Sequence, residues 1–136
     1  MIVLDASAAV ELLLASPVAE QVAAELIAGR PVVAPVHFDA EVYGALRRIY
    51  RRGRLDRDRL RTAIDRLAQF DVERAEIMSL LPHAESLIDI IGGHDVFYVL
   101  LAMSRDCPLL TCDVGLGRAA ERLGLKVIAV DRSRLA

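Results

Sequence analysis

The sequence predicts an α/β fold, a three-layer sandwich around a central, mostly parallel sheet of five strands, and three observations predict it. Short apolar runs with β-branched residues alternate with segments of helical period, the pattern of βαβ units. Hydrophobic residues fill 54% of the positions and Trp is absent, so Ala, Leu, Val and Ile must do the packing. The length, 136 residues, is that of one ordinary domain and suffices to bury a core without staples, so residues 1–136 are read as one domain.

The first strand is the run Ile2 to Leu4. Ser16-Pro17 joins a capping hydroxyl to a proline at the first helical position, which predicts a helix running to about Ala28 and ended by Gly29. Pro31 to Ala34 is the second strand. Phe38 to Arg52 repeats Phe38, Val42, Leu46 and Ile49 on one face and stops at Gly53. A second arginine-rich helix, Asp56 to Gln69, carries Leu60, Ile64 and Leu67 as its stripe, and the two should form a hairpin. A weak strand near Phe70 to Arg74 follows. Leu80 to Ile91 reads as a helix with Pro82 in its first turn, Gly92-Gly93 breaks the chain, and Asp95 to Arg105 reads as a buried helix. Pro108 to Thr111 and Lys126 to Val130 complete the sheet.

Bulk properties exclude several classes. The start, MIVLDAS, has no basic region and meets an acid at Asp5, unlike a secretory signal, and the apolar run Val96 to Met103 is far shorter than the roughly 18 residues of a membrane span. A cytoplasmic protein with no membrane partner is expected. Cys107 and Cys112 would stand about 16 Å apart on an extended segment, on opposite faces, so they do not bridge. No CxxC pair exists, which removes zinc and thioredoxin-like readings. The formal charge of −2 hides a local concentration: from Arg47 to Arg66 nine arginines face three acids, an excess of 9 − 3 = +6.

Two acids follow directly on buried strands, Asp5 after IVL and Asp113 after LLTC. That end of the strands is where open parallel sheets bind ligands. A strand-end Asp also serves as a helix cap or turn former, and Asp131 after KVIAV, close to the terminus with no partner motif, is left out of the candidate set. Glu41 lies within a helix whose other side is apolar, and Asp95 opens a helix that is apolar nearly all round. Singly these are a solvated position and a helix N-terminal acid. Together, four carboxylates in one site repel unless a cation neutralises them, and oxygen ligands suit Mg2+ or Mn2+. At 100° per residue, Arg48 and Arg52 lie within about 20° of the direction of Glu41, roughly 10 and 16 Å along the axis, placed to lead phosphates towards such a site. His37, His83 and His94 have no metal-ligand spacing and read as surface or cap residues, and only His94, beside Asp95, falls near the proposed site.

The ordered fragments VLDAS, PVHFDAEVYGALRR, HDVFYVLLA and LLTCDVGL resemble the PIN-domain nucleases, and most closely the VapC-type toxins of bacterial toxin–antitoxin pairs. The resemblance spans Ile2 to Val130. It implies a PIN-like fold, a metal-dependent endoribonuclease, Asp5, Glu41, Asp95 and Asp113 as metal-binding and catalytic acids, and Ser7 and Thr111 as supporting hydroxyls. It also implies an RNA substrate, products with 5′-phosphate and 3′-hydroxyl, a homodimer and a cognate antitoxin. Alternatives are a non-catalytic RNA- or protein-binding module of the same fold, a dinucleotide-binding unit through Gly115, Gly117 and Ala120 with Asp131, and a phosphatase or receiver domain, which would need a second acid beside Asp5.

Overall fold

The computed structural model describes residues 1–27 and 29–135, the side chains of 134 and 135 apart. Five short strands form one sheet in the order β3-β2-β1-β4-β5, where β1 is Ile2–Leu4, β2 Val32–Pro35, β3 Glu73–Ala75, β4 Leu109–Thr111 and β5 Val127–Ala129. All four pairings are parallel, so the sheet is fully rather than mostly parallel; Val3 is registered with Val33 on one side and Leu109 on the other. Strands flanked on both sides by helices must be apolar on both faces, and β1 and β4 are buried throughout.

Helices α1 (Ala6–Leu13) and α2 (Ala19–Ile27) join β1 to β2, and α3 (Phe38–Arg51) and α4 (Arg57–Ala68) join β2 to β3. The chain then passes through α5 (Leu81–Ala84) and α6 (Val96–Arg105) to β4 on the far side of β1, and α7 (Val114–Arg122) leads to β5. Right-handed crossovers place the first four helices on one face of the sheet and α6 and α7 on the other, the three layers expected. The order therefore reverses between β1 and β4. A crevice opens at their carboxyl ends, where Asp5 and Asp113 emerge.

Most elements fall within two or three residues of their sequence expectations. Gly53, at φ +73, ends α3 in a conformation that L side chains rarely adopt. Helix α2 begins at Ala19 rather than at Ser16-Pro17, because Ser16 spends its hydroxyl on the N–H of Val18 in a turn that precedes the helix. The expected end of that helix at Ala28 lies outside the described residues.

The expected helix Leu80 to Ile91 is a larger departure. Only Leu81–Ala84 is α-helical, followed by a 3-10 turn at Glu85–Leu87 and irregular turns. Pro82 removes a backbone donor, and the Ser86 hydroxyl donates to the His83 carbonyl, competing with helical bonding. Leu80, Leu87 and Ile91 still reach the core, so the apolar spacing reported burial rather than helix.

Helix α6 packs against β1 and β2, and its whole central segment from Val99 to Ala102 is buried. Cys107 and Cys112 are free and buried. Among the described residues no helix is long and apolar enough to cross a membrane.

Candidate active site

Asp5 is fixed before any chemistry is considered. Its N–H donates to the Leu110 carbonyl at 2.9 Å, so the residue after β1 is still held to β4. Its Oδ2 accepts two hydroxyls, Ser7 Oγ at 2.5 Å and Thr111 Oγ1 at 2.7 Å, and Asp5 is only 3% exposed. Those hydroxyls are themselves clamped: the Cys112 N–H donates to Ser7 Oγ and the Asp113 N–H to Thr111 Oγ1. Ser7 and Thr111 thus orient the Asp5 carboxylate and tie β1 to the β4–α7 turn.

Asp113 does two jobs at once. Its Oδ1 accepts the Leu116 N–H at 3.0 Å and caps α7, as a strand-end acid would, while the residue also lines the crevice with Asp5. Glu41 comes from the first turn of α3 and Asp95 from a 3-10 turn, Gly93–Asp95, that leads into α6. Asp5, Glu41, Asp95 and Asp113 all line one cavity of about 320 Å³, with Arg48, Arg52 and Arg132 around them. Burial, foremost, holds Asp5, Glu41 and Asp95 above the usual carboxylate range. Mutual repulsion adds to it, from Asp113 on Asp5 and from Asp5 and Asp113 on Asp95; the charge of Asp5 also acts on Glu41.

Three aromatic residues that the sequence reading left outside the site surround Glu41. His37 Nε2 lies 2.9 Å from Glu41 Oε1 and His94 Nε2 lies 3.3 Å from Oε2. The His37 ring meets those of His94, Phe97 and Tyr98 edge to face, with centroids 5.5 to 5.7 Å apart. Tyr98 is fully buried, and burial together with the Glu41 charge keeps its phenol protonated. Neither its hydroxyl nor Glu41 Oε1 has a well-directed hydrogen bond among the described residues, so the short His37 contact is a close approach rather than an aligned bond. The surface-or-cap reading of His37 and His94 is therefore incomplete. One signal was available, since His37 precedes Glu41 by one helical turn.

The donor set fits a hard divalent cation: several carboxylates, partly desolvated and in part disfavouring one another's ionisation, with one buried oxygen, Glu41 Oε1, that has no well-directed hydrogen bond among the described residues. A larger cavity of about 750 Å³, bordered by Leu12, Leu26, Val32 and Phe70, lies at the opposite end of the strands and touches none of these acids. The glycines considered for a dinucleotide do other work. Neither Gly115 nor Gly117 adopts positive φ, and Gly117 lets α7 lie close on Thr111 and Val127.

The PIN-domain family model matches residues 2–122. Ribonuclease VapC12 of Mycobacterium tuberculosis is 41% identical over 125 residues, covering 91% of this chain and 93% of its own, and Ribonuclease VapC3 of the same organism is 39% identical over 118 residues, covering 87% and 86%. Among solved structures, VapBC2 from Rickettsia felis bound to a promoter DNA fragment has a TM-score of 0.67 at 16% identity, covering 96% of this chain and all of that one. FitAcB from Neisseria gonorrhoeae has 0.64 at 20%, covering 94% and 96%. With the fold, the order of its acids and these relatives in agreement, the chain belongs to the PIN-domain family, in the branch of the VapC proteins.

Proposed function

We propose that this chain is a metal-dependent endoribonuclease, the toxin of a toxin–antitoxin pair, in which residues 1–136 act as one catalytic domain. The observation that carries the reading is the convergence of Asp5, Glu41, Asp95 and Asp113 on one crevice at the reversal of strand order. Relatives named ribonucleases, similar over nine tenths of the chain, support the choice of RNA.

The four acids would hold one or two Mg2+ or Mn2+ ions. A bound ion supplies a Lewis acid that neutralises phosphate charge and activates water at neutral pH. The protein's own contributions are separate. Ser7 and Thr111 orient the Asp5 carboxylate, and the backbone bonds of the β4–α7 turn keep those hydroxyls in place. Arg48 and Arg52, on the rim of the same cavity, bind phosphates away from the metal and lead the RNA chain towards it. Hydrolysis then leaves a 5′-phosphate and a 3′-hydroxyl. In the cell the chain works in the cytoplasm as a homodimer, and a cognate antitoxin silences it.

Expression of the chain alone in bacteria tests this. Growth arrest is expected, and Glu41→Gln, which removes a ligand charge with little change of volume, should abolish it at equal protein level. Equal arrest by the variant would favour a module that harms by binding RNA or protein. Cleavage of RNA that persists in excess chelator would exclude the metal-dependent mechanism.

A further inference from the structure

We propose that His94 is a metal ligand in this chain, so that Glu41, His94 and Asp95 form a mixed nitrogen and oxygen site that prefers Mn2+ and Co2+ to Mg2+. The inference rests on the metal-dependent reading above and adds to it which ions the site selects. The sequence offered four carboxylates, and an all-oxygen set would suit Mg2+. The geometry gathers a different subset. One ligand atom each from Glu41, His94 and Asp95 lie within 4.8 Å of one another, a group that includes neither Asp5 nor Asp113.

The backbone explains how a histidine comes to be there. Gly93 adopts φ +55, which L side chains rarely tolerate, and the 3-10 turn it opens carries His94 and Asp95 side by side towards Glu41 on α3. The His94 side chain is 64% exposed, so it reaches Glu41 from the solvent side and closes onto an ion without disturbing the core. Opposite it the site is buried and incompletely satisfied. Tyr98 is fully buried with its hydroxyl facing Glu41, and both that hydroxyl and Glu41 Oε1 lack a directed hydrogen bond among the described residues. Native proteins seldom leave such a pair unmet, and a ligand that fixes the Glu41 carboxylate would settle both atoms. His37, 2.9 Å from Oε1 and outside the ligand group, is placed to steady Glu41 rather than to coordinate.

Donor chemistry then sets the preference. Imidazole is a poor partner for Mg2+, which demands oxygen and keeps its waters, whereas affinity for nitrogen donors rises along the first-row divalent ions from Mn2+ to Co2+ and beyond. Electron spin echo measurements on the intact chain loaded with Mn2+ read this directly, because a coordinated imidazole imprints 14N modulation on the metal signal. Calorimetric titration with Mn2+, Co2+ and Mg2+ gives the selectivity. The expected result is 14N modulation in the parent chain and in His37→Asn, its loss in His94→Asn, and a fall of the Mn2+ over Mg2+ preference by about tenfold in His94→Asn alone. Bound Mn2+ without nitrogen coupling, or coupling that survives in His94→Asn, overturns the role of His94 and leaves the carboxylate site standing. No bound Mn2+, or unchanged affinity in Asp95→Asn, overturns the site itself.

Discussion

Helix α3 borders two clefts of opposite character. Towards the strand ends it offers Glu41, Arg48 and its C-cap Arg52 to the acidic crevice, and towards α4 it offers Tyr43, Arg47, Tyr50 and Arg51 to a groove whose other wall is Arg57 and Arg61 and whose floor is Leu60 and Ile64. Both clefts crowd like charges. The groove tolerates this because its guanidiniums are solvated; Arg57 simply lies over the Tyr50 ring, 5.7 Å from its centroid. In the crevice Asp5, Glu41 and Asp95 are desolvated, and their protonation equilibria are displaced upwards. Burial, not the count of charges, is what makes the second cluster demand a counter-ion.

The most damaging way to break this contrast is to remove an acid from the crevice. Asp95→Asn should lower RNA cleavage by at least about a hundredfold, the upper end of what loss of a ligand's supporting partner alone costs. The fold should survive, with unchanged or slightly higher melting temperature in chelator, because one member of a repelling set is gone. Asp5→Asn should cost as much activity. Loss of cooperative melting in both variants would reassign these residues to structure.

The crevice and the groove differed in how legible they were in the sequence. Asp5 and Asp113 announced themselves by ending apolar runs, and Glu41, Arg48 and Arg52 by helical phase, because period and polarity are written residue by residue. His37 and His94 were legible only in part, by their nearness in sequence to Glu41 and Asp95, and Tyr98 not at all. Tyr98 sits inside an apolar run and reads as core, and His94 faces Glu41 only because of how the Gly93 turn sets the start of α6 against α3, a tertiary fact. The misjudged helix at Leu80 to Ile91 has the same root: spacing of Leu80, Leu87 and Ile91 records which side faces the core, and local competition from Pro82 and Ser86 decides the backbone. Helical phase separated Arg48 and Arg52 from Arg47 and Arg51, but that the latter pair lines a groove followed only from the packing of α4.

That separation leads to a smaller effect, on binding rather than chemistry. Replacing Arg48 and Arg52 by Ala should weaken RNA binding and reduce the slope of log K against log salt by roughly 0.7 per arginine on single-stranded RNA. The same two substitutions at Arg47 and Arg51 remove equal charge from the groove and should change the slope less. Equal changes at both pairs would mean that the footprint extends over both faces of α3, and no change at Arg48 and Arg52 would make them ordinary solvated residues.

The desolvation that distinguishes the crevice also has a sign in pH. Carboxylates whose folded pKa lies above the unfolded value bind more protons in the folded state, so they destabilise the metal-free fold increasingly as pH rises from the ordinary carboxylate range through the raised folded values. As pH rises above the ordinary carboxylate range, metal-free protein should therefore lose more melting temperature than its Asp95→Asn variant does, the subtraction cancelling groups that the two share. Saturating Mn2+ should flatten the parent's dependence by holding the acids ionised. A parent and variant with parallel curves would show that the Asp95 carboxyl is not strained in the fold.

The smallest effect belongs to the groove side, where stability is local and ordinary. Asp56 caps α4: its Oδ1 accepts the Arg59 N–H at 2.8 Å from an extended backbone, satisfying one of the first donors of the helix that supplies Arg57 and Arg61. Asp56→Ala removes that acceptor and also a negative charge at a helix N-terminus, for a cost of about 0.5–2 kcal/mol. For a chain of this size the melting temperature should fall by a few degrees, roughly 2–8 °C. Helix α4 makes its main contacts with α3 and α1 and contributes no residue to the acidic crevice, so cleavage at temperatures well below the transition should match the parent. A fall in activity as large as that of Asp95→Asn, at full folding, would show that the two clefts act as one surface and erase the contrast between them.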